Sequence, residues 1–156
     1  MINRYDNLII EFFCRIIAAP VFLFGVYIVF HGEASPGGGF QGGVILGAGF
    51  IMLAIAYGMD FTLQRIREKM ILFLSCIGVF IYGGIGAACL LWRGNFLDYG
   101  KLPLPVDHVN AIRGLGIMGI EIGVGLTVMG VMISIYYDLI DPGGIQPELS
   151  SSEGEE

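Results

Sequence analysis

The sequence predicts an all-α integral membrane protein, a bundle of about four transmembrane helices. Three observations carry this reading. Hydrophobic residues fill 55% of the 156 positions and charged ones only 14%, too few to coat a soluble domain. The mean hydropathy is +0.76. The apolar residues also gather into four long runs, each able to cross a hydrocarbon core that takes roughly 20 residues of helix.

The first run, Leu8–Phe30, contains Glu11 and Arg15. It is too long and too charged for a signal-peptide core, so it reads as a mature helix. The second, Gly42–Met59, is the shortest, and the turns at its polar start matter for its length. The third, Met70–Trp92, carries no charge, and the fourth, Ile112–Tyr137, carries one acid, Glu121. Breakers mark the boundaries. Ser35-Pro36 suits an N-cap followed by proline at the first helical position, and Asp141-Pro142-Gly143-Gly144 stops the last helix. Residues 93–110, with two prolines, form a loop at the membrane surface. The expected organisation is a transmembrane domain over residues 1–140 and an acidic tail, 141–156, too polar and simple to pack.

Charge and cysteine content exclude several functions. The net charge is −6, of which −4 lies after Ile145 as Glu148, Glu153, Glu155 and Glu156. The remaining body is nearly neutral and offers no basic face for nucleic acid. Cys14, Cys76 and Cys89 fall inside apolar runs, form no CxxC pair, and read as small buried hydrophobes. No metal-ligand cluster, nucleophile–base motif or paired acid suited to hydrolysis is visible. An independent enzyme and a bound cofactor are therefore not expected. Four spans put both termini on one side of the cell membrane. Arg4, Arg65, Arg67 and Lys69 then oppose Arg93, Lys101 and Arg113, and the excess of one base favours cytoplasmic termini.

The stretch "HGEASPGGGFQGG" (31–43) admits three readings. A phosphate cradle needs GxxxxGK[ST] or a βαβ setting, and neither is present. As a packing surface it is better suited: Gly39, Gly43 and Gly47 recur at i, i+4 and i+8, with Gly38 and Gly42 beside them. Small residues at that spacing let helix backbones approach closely in lipid. Gly119, Gly123 and Thr127 repeat the pattern in the fourth span, and Gly83–Ala87 with Gly84–Ala88 in the third. The third reading is an ion contact, because irregular backbone at membrane depth survives only when buried in protein or facing water.

Ionisable residues inside the spans are the chemical candidates. Glu121 lies near the middle of the fourth span. A carboxylate there is expensive and faces protein or a water-filled cavity; the cheaper neutral form is what a proton carrier uses. Its bland alternative is a hydrogen bond across a helix interface. Glu11 and Arg15, at i, i+4, form either a self-satisfied pair or a polar step into the membrane. His31 and His108 sit in interfacial loops beside Glu33 and Asp107, outside the spans where a haem would need them. His31 is a candidate gate for proton entry.

"HGEASPGGGFQGGVILGAGFIMLAIAYG" closely resembles the signature of the MnhB/MrpB-like subunit of the multisubunit Na+/H+ antiporters. In that family a histidine-containing turn followed by PGGGFxGG opens the second of about four transmembrane helices. By position the motif falls on His31, Pro36, Gly37, Gly38, Gly39, Phe40, Gly42 and Gly43. The resemblance implies a small protein working among other integral-membrane subunits, with Na+ and H+ as the transported ions. Related subunits occur in antiporter modules of membrane-bound hydrogenase-type complexes. Two functions follow as expectations: a subunit that helps form the ion path, with Glu121 as a protonatable step, or a structural scaffold in a redox-driven ion-pumping complex. An independent small transporter is the weaker third.

Overall fold

The computed structural model describes residues 4–33, 37–58, 68–105 and 108–140. Pro36, the Ser35 cap position and the tail from Asp141 lie outside the described residues. Four helices follow one another: α1 (Arg4–Phe30), α2 (Gly39–Tyr57), α3 (Glu68–Leu91) and α4 (Val109–Ile140), with a 3-10 turn at Tyr99–Lys101 between the last two. Each contains a stretch long and apolar enough to cross a membrane. The architecture is all-helical.

The helices stand in a row. α1 packs on α2, α2 on α4 and α4 on α3, while α1 and the 3-10 turn also touch α4. This order leaves broad apolar faces uncovered by the chain itself: Phe80 and Leu91 are each 79% exposed and Leu23 is 73% exposed. Such faces meet lipid tails or neighbouring membrane subunits. The buried centre is small, built from Ile71 of α3 and Met129, Ile133 and Tyr137 of α4.

Glycine sets the helix spacing, and α2 uses it on two faces. A Cβ at Gly43 would come within 2.7 Å of the Gly125 carbonyl oxygen, and one at Gly47 within 3.2 Å of the Met132 Cβ. Both point at α4. Gly42 and Gly49 instead face α1, at Val29 and Phe22. In α4, Gly119 and Gly123 face α3, at Ile85 and the Gly78 carbonyl. Thr127 joins that seam by donating to the Gly123 and Ser75 carbonyls at 2.9 and 3.3 Å.

The third-span face expected at Gly83 and Gly84 is not a contact within the chain, since a Cβ at either would meet nothing within 4 Å. Gly78 does that work for α3. At 3.6 residues per turn, Gly83 and Gly84 lie about 140° and 120° around the helix from it. Beyond α3 the chain folds back, and Phe96 lies against Gly86 and edge-on to Tyr82, ring centroids 6.5 Å apart.

Candidate functional site

The described part of the α1–α2 connection depends on glycine at Gly38, whose φ is 88°. α1 closes at His31, whose N–H donates to the Tyr27 and Ile28 carbonyls at 3.1 and 3.2 Å. Its ring stacks on Tyr27 with centroids 4.0 Å apart, and Nδ1 lies 3.0 Å from the Tyr27 carbonyl oxygen. A carbonyl only accepts, so Nδ1 carries the hydrogen in this contact.

α2 then starts at Gly39, later than the Ser35-Pro36 expectation places it. Gly38 is the N-cap residue, with φ 88° and ψ −155°, and it offers no side-chain cap. A helix start leaves N–H groups without intrahelical partners. Here the partner comes from another helix: the Gly39 N–H donates to Glu121 Oε2. The Gly42 N–H closes the first helical turn on the Gly38 carbonyl at 2.9 Å.

The fit around Glu121 is close on three sides. A Cβ at Gly32 would lie 2.6 Å from its carboxyl carbon, and one at Gly38 would overlap the carboxyl oxygens. Gly39 sits against the Glu121 backbone, where a Cβ would be 2.8 Å from the carbonyl carbon. The glycine motif and the span carboxylate, separate features in the sequence, are therefore one site. Their separation of 82 residues is bridged by a helix start that attracts negative charge. Glu121 lies twelve residues into α4, about 18 Å along its axis at 1.5 Å per residue.

The opposite end of α2 carries the opposite charge. α2 itself contains no charged residue. Arg15 of α1 places its guanidinium carbon 6.0 Å from the ring centroid of Tyr57, the last residue of α2. A cation at a helix C-terminus complements an anion at the N-terminus. Among the described residues no ion pair joins Glu11 to Arg15, so the i, i+4 pairing is replaced by the Tyr57 contact.

Several residues surround the Glu121 end. Glu33 rests its carboxyl against Gly114, where a Cβ would meet both oxygens at 2.8 Å. Arg113 lies over Gly100, with Nε 3.2 Å from a Cβ built there, and Tyr99 packs on Gly116. The Tyr99 phenol is pushed above its ordinary value, first by burial and then by Tyr82, Cys89 and Glu121. Phe40 points away and is 64% exposed, and Gly37 is exposed beside Gln41.

Sequence reasoning treats Glu33 only as a neighbour of His31 and passes over Gly32, Gly114 and Tyr99. The available signal is the i, i+7 spacing of Gly114 and Glu121 on one α4 face. Among the described residues no group of three or more His, Cys, Asp or Glu could hold a metal ion. On the α2 side lies an open apolar groove of about 130 Å³ lined by Val26, Val29, Phe30, Leu46, Ile122 and Gly125, with Leu126.

Comparison with known proteins places this arrangement in context. Residues 9–134 match a family described as a domain related to the MnhB subunit of Na+/H+ antiporter. The B-type Na(+)/H(+) antiporter subunit of Bacillus subtilis (strain 168) is 24% identical over 135 residues, covering 85% of this chain and 92% of that protein. The putative antiporter subunit mnhB2 of Staphylococcus aureus (strain MRSA252) is 23% identical over 136 residues, covering 87% and 96%. That of Staphylococcus haemolyticus (strain JCSC1435) is 24% identical over 135 residues, covering 85% and 93%.

Proposed function

The chain belongs to the family of domains related to the MnhB subunit of Na+/H+ antiporters, and we propose that it helps form the cation–proton path of such a complex, with Glu121 as a protonatable step. Membership makes it a membrane-embedded transporter component that assembles with other antiporter subunits. The observation that carries the finer reading is the Gly39 N–H to Glu121 Oε2 hydrogen bond. It sets a carboxylate at a helix start, where negative charge is favoured, inside a setting that penalises it. Opposed influences of this kind suit a group that gains and loses a proton during a cycle. Both termini face the cytoplasm in this reading.

The chain acts with neighbours rather than alone. In the α3–α4 seam the Ser75 and Thr127 hydroxyls are engaged by backbone: Ser75 Oγ donates to the Ile71 carbonyl at 3.1 Å and Thr127 to Gly123 at 2.9 Å. The groove that begins at Ile122, the residue after Glu121, is apolar in its lining. A polar route across the whole bilayer therefore draws on another subunit, which argues against an independent channel.

The runner-up is a scaffold, with transport carried elsewhere in an antiporter or a redox-driven pump. The same hydrogen bond favours it in one respect, because Glu121 caps α2 from a distance. Glu121→Gln separates the two. Its side-chain oxygen can still accept from Gly39, so the scaffold reading keeps exchange intact. The path reading loses exchange while the complex still assembles on a native gel.

A further inference from the structure

We propose that Glu33 is the outer proton acceptor that feeds Glu121, an inference that rests on reading Glu121 as the protonatable step. Gly32 lies on the Glu121 carboxyl, and the next residue, Glu33, lies on Gly114. Gly114 and Glu121 are seven residues apart on one face of α4, about 10 Å along the axis at 1.5 Å per residue. The two carboxyl groups thus stand one above the other along the same helix. On the Glu121 side, the described part of the α1–α2 turn presents Gly32 and Gly38 to the carboxyl.

Exposure assigns the order. Glu33 is exposed and Glu121 is partly buried, so a proton arriving from water meets Glu33 first. Hydronium gives its proton to a Glu33 oxygen and is left as water. That proton then passes through intervening water to the Glu121 carboxylate. Glu33 returns to the carboxylate form and Glu121 becomes the neutral acid. Among the described residues, the other titratable groups at this end of the helices include His31, Tyr99 and Arg113, with Asp98, Lys101 and His108 in the α3–α4 connection. Arg113 lies over Gly100 and His31 is turned onto Tyr27, leaving Glu33 as the acid placed against the Glu121 face.

The test is Na+/H+ exchange in vesicles carrying the complete complex, with Glu33→Gln, Glu33→Asp, Gly114→Ala and Glu121→Gln in parallel. Glu33→Gln should slow exchange by roughly ten-fold, less than the 10²–10⁴-fold of an acid–base group at a reacting centre, because water still reaches the turn. Glu33→Asp should restore most of the rate. Formate, a small diffusible acid, should partly rescue Glu33→Gln, which it would not do for a merely structural residue. Gly114→Ala should also slow exchange, since its Cβ displaces the Glu33 carboxyl without altering charge. Full exchange in Glu33→Gln, or a slow Glu33→Gln that neither formate nor aspartate restores, overturns the proposal. If Glu33→Gln fails to assemble, normal exchange in Gly114→Ala overturns it. Loss of exchange in Glu121→Gln with a silent Glu33→Gln discards only the role of Glu33. Full exchange in Glu121→Gln discards the underlying reading.

Discussion

Gly38→Ala and Gly58→Ala form a matched pair that isolates the contact between the glycine turn and Glu121. Gly38 precedes α2 with φ 88° and ψ −155°, and Gly58 follows it with φ 86° and ψ 155°. Both occupy backbone space that is essentially restricted to glycine, so alanine at either costs about 1–3 kcal/mol. The surroundings differ. A Cβ at Gly58 meets nothing within 4 Å, whereas one at Gly38 falls on the Glu121 carboxyl. Gly38→Ala must therefore also swing the carboxyl away from the Gly39 N–H. A hydrogen bond to a charged group contributes about 1.5–3 kcal/mol. Gly38→Ala should thus destabilise by about 1.5–3 kcal/mol more than Gly58→Ala. For a chain of this length that difference is roughly 3–12 °C in unfolding midpoint. Thermal unfolding of the full-length protein in detergent reads it, and vesicle exchange should fall further in Gly38→Ala. Equal midpoints for the two variants would refute the claim that Glu121 holds the start of α2.

Two further substitutions probe the framework. Gly43→Ala drives a Cβ toward a backbone oxygen that cannot rotate aside, so it should cost about 1–3 kcal/mol by overpacking. Gly83→Ala, in open space, should be neutral or stabilise by up to about 1 kcal/mol; unfolding midpoints in detergent compare them. Arg15→Leu removes the cation beside Tyr57 and should destabilise by about 0.5–1 kcal/mol. That loss should shrink in high salt, which a midpoint measured at two ionic strengths would show.

What was legible in the sequence was local. Hydropathy marks four spans because each run is continuous. The Gly43 and Gly47 face was readable because a helix repeats every 3.6 residues. The partner of each face was not, and Gly83 and Gly84 show why: small residues occur on several faces of α3, and only the neighbour decides which is used. The start of α2 was misplaced for a related reason. Ser35-Pro36 has the local chemistry of a cap, but Gly38 sits at the N-cap and a carboxylate 82 residues away supplies the acceptor. Arg15 likewise had a local partner in Glu11, yet its contact is the Tyr57 ring of the adjacent helix.

The central claim is that Glu121 changes protonation during transport rather than merely capping α2. It is tested most directly by Na+/H+ exchange in vesicles containing the assembled complex with Glu121→Gln. Glutamine keeps an oxygen for the Gly39 N–H but cannot release a proton. The account predicts a native-size complex with exchange abolished or greatly reduced. A native-size complex that exchanges at the unmodified rate would contradict it.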